Sequence, residues 1–115
     1  MKEKKDFLGE FEELVLLAIL RLSENAYGVT IRQIIEEKGK RATSYGAIYA
    51  TLERLEKKGY ISSRQGEATA ERGGRAKRYY KVEGAGIKAI NDTEMARRNI
   101  GMGLDFDRKP VGDTP

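Results

Sequence analysis

The sequence has no cysteine and no histidine. Without cysteine there are no disulfides, no thiolate metal sites and no thiol nucleophile. Without histidine, the commonest general base and a leading metal ligand are missing too. Catalysis would need a carboxylate pair or an activated Lys, Ser or Tyr, and no stretch groups these. The expectation is no catalytic residue, no metal and no cofactor. Proline occurs only twice, at 110 and 115. No apolar run approaches the roughly 20 residues that a membrane-spanning helix needs. The start, Met1-Lys-Glu-Lys-Lys-Asp6, is charged and leads into an amphipathic segment, so it does not read as a signal peptide. A cytoplasmic protein is expected.

Charge is abundant. Charged residues make up 35% of the 115 and hydrophobic ones 39%, which suits one small domain with a modest core. The net charge is +4, but its placement says more. Lys40 to Val82 holds eleven Lys/Arg against four Glu, a net of +7, and the flanks sum to −3. A basic centre between acidic flanks suggests a polyanion bound by one part of the molecule. Taken alone, such a run is more often a solvated face.

Residues 1–8 read as a flexible N-terminus. Glu10 to Leu22 reads as a first helix, with Phe11, Leu14, Val15, Leu17, Ala18 and Leu22 on one apolar face. Leu16, Ile19 and Leu20 widen that face until little polar surface remains. Such a helix must be covered on more than one side, by the C-terminal helix or by a partner subunit. Its Glu10, Glu12 and Glu13 suit the positive end of a helix dipole. Ser23 to Ala26 is turn-like. Tyr27-Gly28 leads into a second helix, about Val29 to Lys38, with Ile31, Ile34 and Ile35 buried and Arg32, Gln33, Glu36 and Glu37 outward.

Thr43 to Ile61 is the stretch around which the chain is organised. Thr43 or Ser44 can cap a helix there. Ile48, Leu52 and Leu55, spaced by four and three, form its buried face. Gly59 stops it after Lys57 and Lys58. The opposite face carries Gly46, Ala47, Ala50, Glu53, Arg54 and Lys57, small in its first turns, so a flat partner can come close. Two helices joined by a short basic turn, the second small and polar at its start, fit a helix-turn-helix. A helix of this shape fits the major groove. Ser44 can bond a base edge or a phosphate, Gly46 and Ala47 allow close approach, and the Ala47 methyl can meet a thymine methyl. Tyr45 sits at the same entering end. Tyr49 and Tyr27 each have two readings, as phosphate contacts or as core aromatics. Arg54 can supply salt-dependent affinity.

Beyond Gly59, Tyr60–Arg64 and Arg78–Val82 are rich in β-formers and flank a glycine-rich, basic segment. They read as a hairpin with Tyr60, Ile61, Tyr80 and Val82 inward. Arg72, Arg75, Lys77 and Arg78 can straddle a groove and touch phosphates. The fold class expected is mainly α, a winged helix-turn-helix over 9–83 with a two-stranded wing. A last helix follows over 84–100, with Ile87 and Ile90 on a thin apolar stripe that Asp92-Thr-Glu94 interrupts. Residues 101–115 read as a flexible tail.

Several linked pieces resemble the PadR family of bacterial winged-helix transcription regulators. They are Leu8-Gly-Glu-Phe-Glu-Glu-Leu-Val-Leu-Leu-Ala-Ile-Leu20, Ala26-Tyr-Gly28, Ser44-Tyr-Gly-Ala-Ile-Tyr49 with Leu52-Glu-Arg-Leu55 and Lys58-Gly-Tyr-Ile61, and Gly73-Gly-Arg-Ala-Lys-Arg-Tyr-Tyr80 followed by Gly86. Tyr45 and Ala76 stand where the family often has proline. The short C-terminal part is similar to the subfamily with a single helix after the wing. The resemblance implies a homodimer in which the C-terminal helix packs on the partner's first helix, through Phe11, Leu14, Leu16, Ile19, Ile87 and Ile90. It implies binding to a pseudo-palindromic operator, often repression, and sometimes release by a small aromatic effector. The competing class is a winged helix that binds proteins and no nucleic acid. It predicts weak DNA binding with little salt dependence.

Overall fold

A computed structural model of the chain describes residues 7–67 and 76–105. Helix α1 spans Glu10–Leu22. Its first free amide is met locally, as the Gly9 N–H donates to Glu12 Oε1 at 2.9 Å. Val15, Leu16, Ala18 and Ile19 are buried, while Leu17 and Leu20 stay exposed. A 3-10 turn, Ser23–Asn25, leads to α2, Gly28–Gly39. Here the Tyr27 N–H donates to Thr30 Oγ1 at 3.0 Å, and the Thr30 hydroxyl donates to the Asn25 carbonyl at 2.6 Å. Ile31 and Ile35 are buried and Ile34 packs against them half-buried, as the spacing predicts.

Helix α3 spans Tyr45–Lys57. Ser44, not Thr43, is its cap: Oγ accepts the Ala47 N–H at 3.1 Å. Ile48, Leu52 and Leu55 are buried, joined by Thr51. The stop is a Schellman turn. Gly59 has φ 81°, and the Tyr60 N–H donates to the Leu55 carbonyl and the Gly59 N–H to the Glu56 carbonyl, both at 3.0 Å.

Strands β1, Ile61–Gln65, and β2, Arg78–Val82, pair antiparallel with Ile61 opposite Val82 and Ser63 opposite Tyr80. Ile61 and Tyr80 are buried, with Tyr60, and Val82 packs against them. A lone hairpin is marginal in water, and this one is anchored: the Tyr80 N–H donates to the Ala26 carbonyl at 2.9 Å. The chain is thus mainly helical, a three-helix core carrying a two-stranded wing.

Helix α4, Gly84–Gly101, closes the fold. Two expectations change here. Thr93 does not interrupt the stripe. It is buried below Ala89, and its Oγ1 accepts the Leu8 N–H at 3.0 Å. The same bond corrects the N-terminal boundary, because Leu8 is buried against the core rather than part of a flexible lead-in. Met102 and Leu104, just past α4, are exposed. Residues 1–6 and 106–115 lie outside the described residues.

Candidate nucleic-acid interface

The outermost stripe of α3, opposite Ile48, Leu52 and Leu55, is Gly46, Ala50, Glu53 and Lys57, all exposed. Ala47 and Arg54 flank it on one side, Tyr45 and Tyr49 on the other. Tyr45 and Tyr49 stack at 6.4 Å between ring centroids. The Arg32 guanidinium of α2 sits 4.5 Å from the Tyr45 ring. Neither ring is core. They are 38% and 47% exposed. The Tyr49 hydroxyl rests in the space left by Gly28, where a Cβ would collide with it. This gives the Tyr27-Gly28 pair its physical reason.

A second aromatic and cationic ridge joins the start of α2 to the wing. Tyr27 meets Tyr79 edge-on at 5.5 Å. Lys77 Nζ lies 4.1 Å from the Tyr27 ring centre, and the Arg64 guanidinium 4.8 Å from that of Tyr79. Arg78 is exposed on β2. Arg72 and Arg75 lie outside the described residues. Sequence reasoning missed Arg32, Arg64 and Tyr79. Arg32 gave no local signal beyond its i+4 partner Glu36, with which it pairs at 3.1 Å.

Arg54 is committed elsewhere. Its Nε lies 3.0 Å from Glu12 Oε2, and Lys58 Nζ lies 3.3 Å from the same oxygen. Glu12 is buried. Burial pushes its carboxyl up, but the Gly9 amide, Arg54 and Lys58 together outweigh this and hold it below the usual value. Glu10 pairs with Arg41 and Glu13 with Arg97 at 2.8 and 2.7 Å. The acidic first turn of α1 therefore binds the α2–α3 connection, α3 and α4, beyond its service to a helix dipole.

Of the six residues expected at a partner subunit, Leu16 and Ile19 are corrected. They are 0% and 2% exposed, filled over by this chain's own helices and hairpin. Phe11 is half-buried under Arg41, and Leu14 and Ile90 are half-buried. Ile87 is exposed, as are Leu17, Leu20, Met95 and Ile100. A groove of about 610 Å3 between α1 and α2 is lined by Leu14, Leu17 and Ile34 among others. A second cavity, of about 490 Å3, lies between the end of α1 and the hairpin, with Leu20, Ser62, Arg64, Tyr79 and Lys81 in its wall.

The family model for "Transcriptional regulator PadR-like family" matches residues 16–92, from α1 through the wing into α4. The chain belongs to the PadR-like family. It is a transcription regulator and not an enzyme, and PadR-like regulators bind DNA. Solved structures agree in fold. A PadR-like transcription factor from Bacteroides fragilis is 22% identical, with 85% of this chain and 89% of that one covered at a TM-score of 0.67. A PadR-like regulator from Bacillus cereus is 21% identical, covering 82% and 86% at 0.64. A transcriptional regulator from Clostridium thermocellum is 25% identical, covering 82% and 92% at 0.63. Comparison with curated proteins gives no match. Among the described residues no helix is long and apolar enough to cross a membrane.

Proposed function

We propose that this PadR-like chain is a cytoplasmic, dimeric repressor that reads a pseudo-palindromic operator in duplex DNA. The observation that carries this is the geometry around α3. Its exposed face is small where it would meet a groove floor, and cation–aromatic pairs line its Tyr45–Tyr49 side and continue past Gly28 to Tyr27 and the wing. Ser44, Tyr45, Gly46, Ala47 and Tyr49 form the reading end. Tyr27, Lys77 and Arg78, with Arg72 and Arg75, hold phosphates. The dimer uses the exposed Leu17, Leu20 and Ile87 with Phe11, Leu14 and Ile90, and two copies give two half-sites. Release by a small aromatic effector belongs to the same reading. The cavity beside Tyr79 has the volume of a small-molecule site.

The test is the double variant Arg75→Ala, Lys77→Ala in a gel-shift titration. Affinity falls by a similar factor for operator and unrelated duplex, and the salt slope drops by about one to two units. Unchanged affinity for the natural promoter would remove the wing from the interface.

A further inference from the structure

The outermost stripe of α3 contains one acidic group. Glu53 is exposed, between the small Ala50 and the cationic Lys57. Among the described residues it has no hydrogen-bond or ion-pair partner, although Lys57 stands one turn on. Most other described glutamates are engaged: Glu10, Glu12, Glu13 and Glu36 with cations, Glu56 and Glu83 with the hydroxyls of Ser63 and Ser62. An unneutralised carboxylate is costly on a surface that approaches phosphates, so it must find a donor there or weaken binding.

We propose that Glu53 is a specificity residue that selects cytosine in each half-site. The proposal rests on the DNA-reading assignment above and sharpens it. An ionised carboxylate only accepts hydrogen bonds. In the major groove the donors are the amino groups of cytosine and adenine. The adenine amino group lies beside the N7 acceptor, which repels a carboxylate; the cytosine N4 amino group has no such neighbour on its own base. Guanine presents O6 and N7, and thymine O4, all acceptors. Gly46 and Ala50 carry no competing polar group, so the helix can seat deeply enough for Glu53 to reach. The same charge repels phosphates and so weakens binding to every duplex that lacks the cytosine.

The test is enrichment of binding sites from a duplex library with randomised half-sites, using the full chain and the variants Glu53→Gln and Glu53→Ala. The full chain fixes cytosine at one position of each half-site, by about tenfold or more, the size of one good base contact. Glu53→Gln moves that position toward adenine, whose N6 and N7 match an amide. Glu53→Ala leaves it unselected, and both variants bind unrelated duplex several-fold more tightly. Preferences elsewhere are unchanged. If the full chain selects a site and both variants select the same one at every position, the role of Glu53 is overturned while the DNA reading stands. If the full chain selects no sequence, the DNA reading fails and this inference falls with it.

Discussion

Glu12 lies where three parts of the chain meet: the turn before α1, α1 itself and α3. One oxygen accepts from Gly9, and the other faces Arg54 and Lys58. Its folded-state pKa lies below the ordinary value of 4.5. The stabilisation it gives is therefore complete above the unfolded pKa and is lost as pH falls through the lower folded one. Glu12→Gln removes this dependence. Thermal melts should show a loss of about 1–2 kcal/mol at neutral pH, discounted because Arg54 and Lys58 are half-exposed. The gap to the parent chain should narrow as pH falls below 4.5 and close once it has passed through the lower folded-state pKa. A constant gap from pH 3 to 7 would contradict the linkage. At this scale the sequence was legible where pattern is local. Ile48, Leu52 and Leu55 follow from spacing alone. The Glu12–Arg54 pair spans 42 positions and leaves no local trace. Arg54 thus looked like a free cation.

Among the elements, the helices were readable nearly to the residue, because apolar spacing, a serine cap and Gly59 each mark a boundary locally. The seating of one helix on another was not. Tyr49 of α3 lies over Gly28 of α2, and the contact depends on a missing Cβ. Gly28→Ala should lower stability by about 1–3 kcal/mol, since the neighbouring ring must shift. Tyr49→Phe in the same chain should recover only part of it, because the hydroxyl is the nearest colliding atom and the ring carbon behind it still lies too close. Equal melting temperatures for the parent and Gly28→Ala would show that the ring moves freely. The stripe of α4 was misread for a related reason. Threonine counts as polar in a periodic pattern, yet Thr93 is buried because its hydroxyl satisfies the Leu8 amide.

In the whole molecule, one copy leaves Leu17, Leu20, Ile87, Met95 and Ile100 exposed on its first and last helices. Leu16 and Ile19, the more central apolar pair of α1, are already covered within the chain, so the sequence overstated what a partner must cover. Sedimentation at micromolar concentration should give a dimer, and Leu17→Glu with Leu20→Glu should give a folded monomer. A parent chain that sediments as a monomer would contradict the dimer assignment. The basic centre was legible as charge, but not as a run of cations on aromatic rings along one side of α3 and onto the wing. That arrangement exists only after folding brings Arg32 to Tyr45 and Lys77 to Tyr27. The most direct measurement is binding of the full chain to the DNA upstream of its own gene at about 50 and about 200 mM salt. A specific complex should form and weaken by about a hundredfold or more, as release of about four phosphate counterions requires. An affinity that is the same at both salt concentrations, or no complex at either, would contradict the DNA-reading assignment.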